Sequence, residues 1–110
     1  MPRVSVIVPA YNAEQTIGET IRSAQAPTFS DFELIVIDDG STDRTLERLE
    51  AAGDSRLRVF SYENAGLPAA RNRGIARATG EYLAFLDADD RWTSDKLESQ
   101  VAALEARAGA

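Results

Sequence analysis

Asp87-Ala88-Asp89-Asp90 is the densest group of chemistry-bearing side chains in this sequence. It directly follows a short apolar run, Tyr82-Leu83-Ala84-Phe85-Leu86. Three carboxylates this close repel one another unless a cation or strong hydrogen-bond donors compensate. The chain has no cysteine and no histidine, so a metal held here must take oxygen ligands. That donor set suits Mg2+ or Mn2+ bridging phosphates while keeping several waters. A calcium loop does not fit, because Arg91 and Trp92 stand where it needs a further Asp or Asn and then Gly. The plainer alternative is a polar loop that caps the next helix.

Two other segments carry comparable chemistry. Asp38-Asp39-Gly40-Ser41-Thr42-Asp43 follows a second apolar run. A carboxylate at a strand end can accept from a base N–H or a ribose hydroxyl, Gly40 allows a tight turn, and Thr42 or Asp43 can cap a helix. Residues 41–43 read as turn and cap, and both readings stand for Asp38 and Asp39. Asn64-Ala65-Gly66-Leu67-Pro68-Ala69-Ala70-Arg71-Asn72-Arg73-Gly74 opens a helix whose small residues permit close backbone approach. Arg71 offers a planar donor for phosphate or base carbonyls, the alternative being a solvated or salt-bridged arginine. Tyr11 can stack on a base or cover a strand end, and Trp92 can form a sugar platform or pack a helix start. No G-x-G-x-x-G or Walker A pattern occurs, so dinucleotide and P-loop readings lack their fingerprint.

The elements that must position these residues are legible as alternating patterns. Apolar runs at 4–8, 33–37, 57–61 and 82–86 are strand-like, two of them nearly continuous, as for strands buried on both faces. Ile17, Ile21 and Ala24 have helical spacing, with Asn12 three residues before Gln15 as a cap. Thr45, Leu46 and Leu49 mark a second helix, Leu67, Ala70, Gly74, Ile75 and Ala78 a third, and Leu97, Val101 and Leu104 a fourth. This βαβαβαβα series predicts an α/β three-layer sandwich with a mostly parallel sheet. The loaded loops follow strands one, two and four, and ligands in open α/β sheets sit beyond the carboxyl strand ends at the switch point. Strand order 3-2-1-4 brings those loops together, with helices one and two on one face and helix three on the other.

Composition narrows the classes. The 110 residues read as one domain, and 44% hydrophobic residues suffice for a core. A net charge of −6, from 18 acidic and 12 basic residues, argues against a nucleic-acid partner. It also requires a cation or well-placed arginines beside any bound pyrophosphate. No apolar run is long enough to span a bilayer, and Met1-Pro2-Arg3 leads straight into a strand pattern, so the chain reads as cytoplasmic.

Taken together, the segments resemble the family 2 glycosyltransferases of GT-A fold. The resemblance rests on Val4-Ser5-Val6-Ile7-Val8-Pro9-Ala10-Tyr11-Asn12, on Glu33-Leu34-Ile35-Val36-Ile37 with the Asp38–Asp43 segment, on the Asn64–Gly74 segment, and on Gly80-Glu81 leading into Tyr82–Asp90. It implies an inverting transfer from a nucleoside diphosphate sugar, a UDP-sugar foremost, to an acceptor hydroxyl, with Mg2+ or Mn2+. Pro9 and Tyr11 would line the base pocket with Glu14 nearby, Asp39 would accept from the base N–H, and Arg71 would contact the nucleotide. Asp87 and Ala88 would lie near the ribose, and Asp89 would bind the metal bridging the pyrophosphate. The family's general base, an aspartate in a downstream acidic motif, and its Gln-x-x-Arg-Trp acceptor segment have no counterpart after Asp90. Asp95, Glu98 and Glu105 fall in a helix pattern, so the base is expected beyond Ala110. Residues 1–110 are therefore expected to form a donor-binding unit, the first half of a GT-A domain, with no catalytic residue assigned and little or no transfer alone. Two rival readings are a stand-alone nucleotide-binding or interaction module and a nucleotidyltransferase, whose Gly-rich, Arg- or Lys-bearing first loop is replaced by Pro9-Ala10-Tyr11-Asn12. Under order 3-2-1-4 the run at 82–86 is an open edge, so self-association is expected.

Overall fold

Strand and helix alternate through the residues that the computed structural model describes, 4–25, 31–52 and 56–88. The order is β1 (Val4–Ala10), α1 (Ile17–Gln25), β2 (Phe32–Asp39), α2 (Thr45–Ala52), β3 (Leu57–Tyr62), α3 (Leu67–Arg77) and β4 (Tyr82–Phe85). β1 and β2 are dominated by Val and Ile, and every residue in both is buried, as strands covered on two faces must be. They run parallel, from Val4 beside Phe32 to Ala10 beside Asp38. β4 pairs with β1 and β3 with β2, both parallel, giving the order β3-β2-β1-β4 that the sequence predicts.

The two-residue strand period splits the core into two layers. Val4, Val6, Val8, Leu34 and Val36 pack with Ile17 and Ile21 of α1 and Leu49 of α2. On the opposite face, Ile35 and Ile37 pack with Ala70 of α3, and Phe60 and Tyr62 close that layer. Gly74 sets the depth of α3, because a Cβ there would lie 2.3 Å from Ile7 Cγ2. Among the described residues β4 is an edge strand, and its Leu83 and Phe85 are exposed, as is Ile75 of α3.

Three details depart from the sequence reading. Asn12 does not cap α1. It sits at φ 47°, and its side chain bonds the loop after β2 instead. The buried face of α3 consists of Ala70 and Gly74, while Leu67 and Ile75 are exposed. Ile75 is displaced by about 100° around the helix from Gly74, whereas Leu67 lies close to Gly74's line but sits in the first turn, at the cleft. The strands also run one or two residues further than the apolar runs, except β4, where Leu86 still donates its amide to the Ile7 carbonyl at 3.0 Å. The fourth helix pattern and Trp92 lie outside the described residues.

At the amino end of the sheet, away from the carboxyl strand ends, Glu33 is a buried carboxylate. Its Oε2 accepts from the Ser5 hydroxyl (2.6 Å), the Thr79 amide (2.8 Å) and the Thr79 hydroxyl (2.8 Å), and its Oε1 from Arg58 (2.9 Å). Burial opposes its charge, but the bonds from Ser5, the Thr79 amide, Arg58 and the Thr79 hydroxyl outweigh it and hold the carboxyl below its ordinary range. This network fastens the turn between α3 and β4 to β1 and β2.

Candidate functional site

The carboxyl ends of β1 and β4 open into a cleft of about 620 Å³, within the usual size for small-molecule sites. Pro9, Tyr11, Glu14, Asp87 and Ala88 line it, with Leu67 entering from the first turn of α3. A smaller hollow of about 230 Å³ shares Pro9, Tyr11 and Leu67 and adds Asp39 and Ala70. Five sequence-predicted site residues thus share one cleft, and Asp39 lines its neighbour. Tyr11 is half exposed and lines both hollows rather than packing in the core.

The floor is built by stapling the loop after β1 to the loop after β2. Asn12 donates its amide to Ser41 Oγ at 3.0 Å, and its Oδ1 accepts from the Thr42 amide at 2.8 Å. The Ala13 amide donates to Thr45 Oγ1 at 2.7 Å, and the Glu14 amide to Asp43 Oδ2 at 3.3 Å. Asp43 also accepts from the Thr45 amide at 2.9 Å, satisfying a free N–H at the start of α2. Partial burial opposes the charge of Asp43, but bonds from the Thr45 hydroxyl, the Thr45 amide and the Glu14 amide outweigh it and lower its pKa.

Asp39 is buried and heavily engaged. Its Oδ1 accepts from the Ala65 amide at 2.9 Å, and its Oδ2 from the Gly66 amide at 3.0 Å and Asn64 Nδ2 at 3.3 Å. Arg73 approaches Oδ1 at 3.8 Å. Three of its roughly four lone-pair directions are used by hydrogen bonds, which leaves about one for a ligand. Asp39 therefore clamps the loop before α3 onto the end of β2. Gly40, at φ 72°, makes room for that loop, since a Cβ there would lie 2.6 Å from the Asn64 nitrogen. Neighbouring Asp38 holds its own turn through the Ser41 amide and Ser61 hydroxyl.

Arg71, also predicted for the site, lines neither hollow; its Nη2 lies 3.7 Å from Asp87 Oδ1 and its guanidinium stands 6.0 Å from the centre of the Phe85 ring. Arg71 Nε is buried without a hydrogen-bond partner. On the α1 side, the Ala88 carbonyl accepts from two hydroxyls, Thr16 Oγ1 at 3.0 Å and Thr20 Oγ1 at 2.8 Å. Nothing in the sequence marks Thr16, Thr20, Asn12 and Asn64 for these tasks. Their partners lie 25 to 72 residues away, so no local spacing signals them.

For a divalent cation the described residues offer oxygen donors alone. Asp87 is exposed at the cleft, and its arginine neighbour stands beyond hydrogen-bond length, so its oxygens keep lone pairs for a hard cation. Among the described residues no three metal-ligating side chains cluster. The expected metal ligand Asp89, its neighbour Asp90 and all of residues 91–110 lie outside the described residues. The general base expected beyond Ala110 therefore has no position in this site, and no described residue is assigned its role. Also among the described residues, no helix is long and apolar enough to cross a membrane.

Comparison with known proteins places this geometry. The family model for Glycosyl transferase family 2 matches residues 5–110. The E. coli UDP-Glc:alpha-D-GlcNAc-diphosphoundecaprenol beta-1,3-glucosyltransferase WfgD is 42% identical over 102 residues, covering 92% of this chain and 40% of its own length. This chain thus spans about two fifths of that relative. The crystal structure of S. aureus TarS 1-349 in complex with UDP-GlcNAc matches with a TM-score of 0.86 at 36% identity, over 94% of this chain and 31% of that one. The mannosyltransferase PcManGT from Pyrobaculum calidifontis, in complex with GDP-Man and Mn2+, matches with a TM-score of 0.78 at 32% identity. That match covers 83% of this chain and 28% of the other.

Proposed function

Because the chain belongs to glycosyl transferase family 2, we propose that its cleft holds a nucleoside diphosphate sugar, a UDP-sugar first, together with Mg2+ or Mn2+. The transfer it serves is inverting, to an acceptor hydroxyl. The observation that carries this reading is the meeting of Pro9, Tyr11, Glu14, Asp87 and Ala88 around one cleft at the carboxyl strand ends. A solved relative in complex with UDP-GlcNAc and another with GDP-Man and Mn2+ support both the donor class and the cation.

In this reading Tyr11 stacks on the base against Pro9, with Glu14 at the rim. Asp39 offers its remaining lone pair to the base N–H while holding the Asn64–Gly66 turn in place. Arg71 turns its guanidinium to the nucleotide, where its unpartnered Nε gains an acceptor. Asp87 and Ala88 flank the ribose, and Asp89 with Asp87 supplies oxygens to the cation. When bound, the cation would offset the charge that develops on the leaving diphosphate. Its contribution should be large, because a protein of net charge −6 otherwise repels a diphosphate. No residue here matches the family's general base, so we propose that a polypeptide of these 110 residues binds donor without transferring it, and that it does so in the cytoplasm.

Calorimetric titration with UDP, dTDP and GDP, with Mn2+ and with EDTA, tests the proposal. We expect UDP to bind most tightly and to lose about tenfold or more in affinity without metal. Asp89→Ala should remove that metal dependence. Heat from none of the three diphosphates would sink the donor-site reading.

A further inference from the structure

We propose that Thr16 and Thr20 are positioning residues for Asp87 and Ala88 at the cleft, acting through the Ala88 carbonyl. This rests on the donor-site reading above. The carbonyl sits midway through Asp87-Ala88-Asp89 and accepts from both hydroxyls, at 3.0 and 2.8 Å, which fills its two lone pairs. Both donors come from a different part of the fold, 72 and 68 residues earlier. Thr20 is fully buried, and its helix neighbours on the core side are Ile17 and Ile21. Valine would match the shape of threonine there and avoid burying a hydroxyl. A hydroxyl at that position is tolerable only when it is bonded, and it bonds to Ala88. Thr16 lines the cleft itself, so the tie lies at the site and not remote from it.

The consequence is mechanical. α1 is held to the sheet by Ile17 and Ile21, and its preceding loop is stapled to α2 through Ala13 and Glu14. Two hydroxyl bonds from this rigid body to one peptide group fix the direction in which the chain leaves β4. Groups that orient metal ligands commonly change metal affinity by about 10- to 100-fold when removed. The hydroxyls thereby set how well Asp87 presents its oxygens to a cation.

The test is UDP affinity measured calorimetrically with Mn2+ and with EDTA, in the wild-type protein, Thr16→Val, Thr20→Val, the double variant and Thr20→Ser. Thermal melts of each accompany the titrations. We expect Thr20→Val, whose side chain is buried outside the cleft lining, to keep metal-free UDP affinity within about twofold and to lose about tenfold of the Mn2+-linked gain, with Thr20→Ser restoring it. The single variants retain one donor each and carry the test if the double variant does not fold. An unchanged Mn2+-linked gain in the folded valine variants overturns the assignment. So does an equal fall with and without metal in Thr20→Val, which marks a purely structural bond. Absence of any Mn2+-linked gain in the wild-type protein would instead fell the donor-site reading, and this assignment with it.

Discussion

Asp39 and Glu33 are buried carboxylates near opposite ends of one strand, and each uses its charge to hold a loop against the sheet. Asp39 binds the Asn64–Gly66 turn at the site, while Glu33 binds Thr79 and Arg58 at the far end. Glu33 carries a clean pH prediction. Its folded pKa is depressed below the ordinary 4.5, so its stabilisation is complete above that pH and is lost as pH falls through the lower folded value. We expect Glu33→Gln to lower stability by about 2 kcal/mol at pH 7, the worth of a charged hydrogen-bond set partly kept by the amide. In urea melts the gap to wild type should shrink steadily as the pH falls below 4.5. A gap that stays constant down to about pH 3 would show that the charge of Glu33 does not matter. In the sequence Glu33 reads as one more member of an apolar run, because its partners are 28 and 46 residues away. Asp39 was legible as a candidate site residue from its place at a strand end, but its clamp on Ala65 and Gly66 was not.

β1 and β2 were legible because their Val- and Ile-rich runs are nearly continuous, which suits a strand covered on both sides. The strand order followed from requiring three loaded loops to meet. The helices were harder. Asn12 and Gln15 satisfy a capping pattern, but the Asn12 side chain finds the Thr42 amide across the cleft floor, and a long-range partner overrides the local signal. In α3, apolar spacing suggested Leu67 and Ile75 for the core, whereas Ala70 and Gly74 let the helix sit close and leave the larger residues outside. β4 carries the prediction at this scale. It is the edge beside β1 among the described residues, with Leu83 and Phe85 exposed, as is Ile75 of α3. Unpaired edges with apolar faces associate. A polypeptide of these 110 residues should show dimers or larger species in sedimentation at tens of micromolar, reduced by Phe85→Lys. A monodisperse wild-type monomer would contradict this.

For the whole molecule, the fold delivers ligand-facing groups from three loops to one end of a parallel sheet and braces them from behind. The bracing bonds, Asn12 to Thr42, Asp43 to Glu14, Asp39 to Gly66 and Thr20 to Ala88, each join segments far apart in sequence. The candidate site residues were readable as motifs, whereas the braces exist only once the chain has folded. The claim on which all of this converges is that UDP and a divalent cation meet at Asp87 and Ala88, with the base at Tyr11. A titration of isotope-labelled protein with UDP and trace Mn2+, followed by NMR, addresses it directly. The account predicts saturable shifts at the amides of Tyr11, Glu14 and Asp39, with paramagnetic broadening strongest at Asp87 and Ala88. Broadening centred near Glu33, or on the face of Leu83 and Phe85 without any shift at Tyr11, would contradict it.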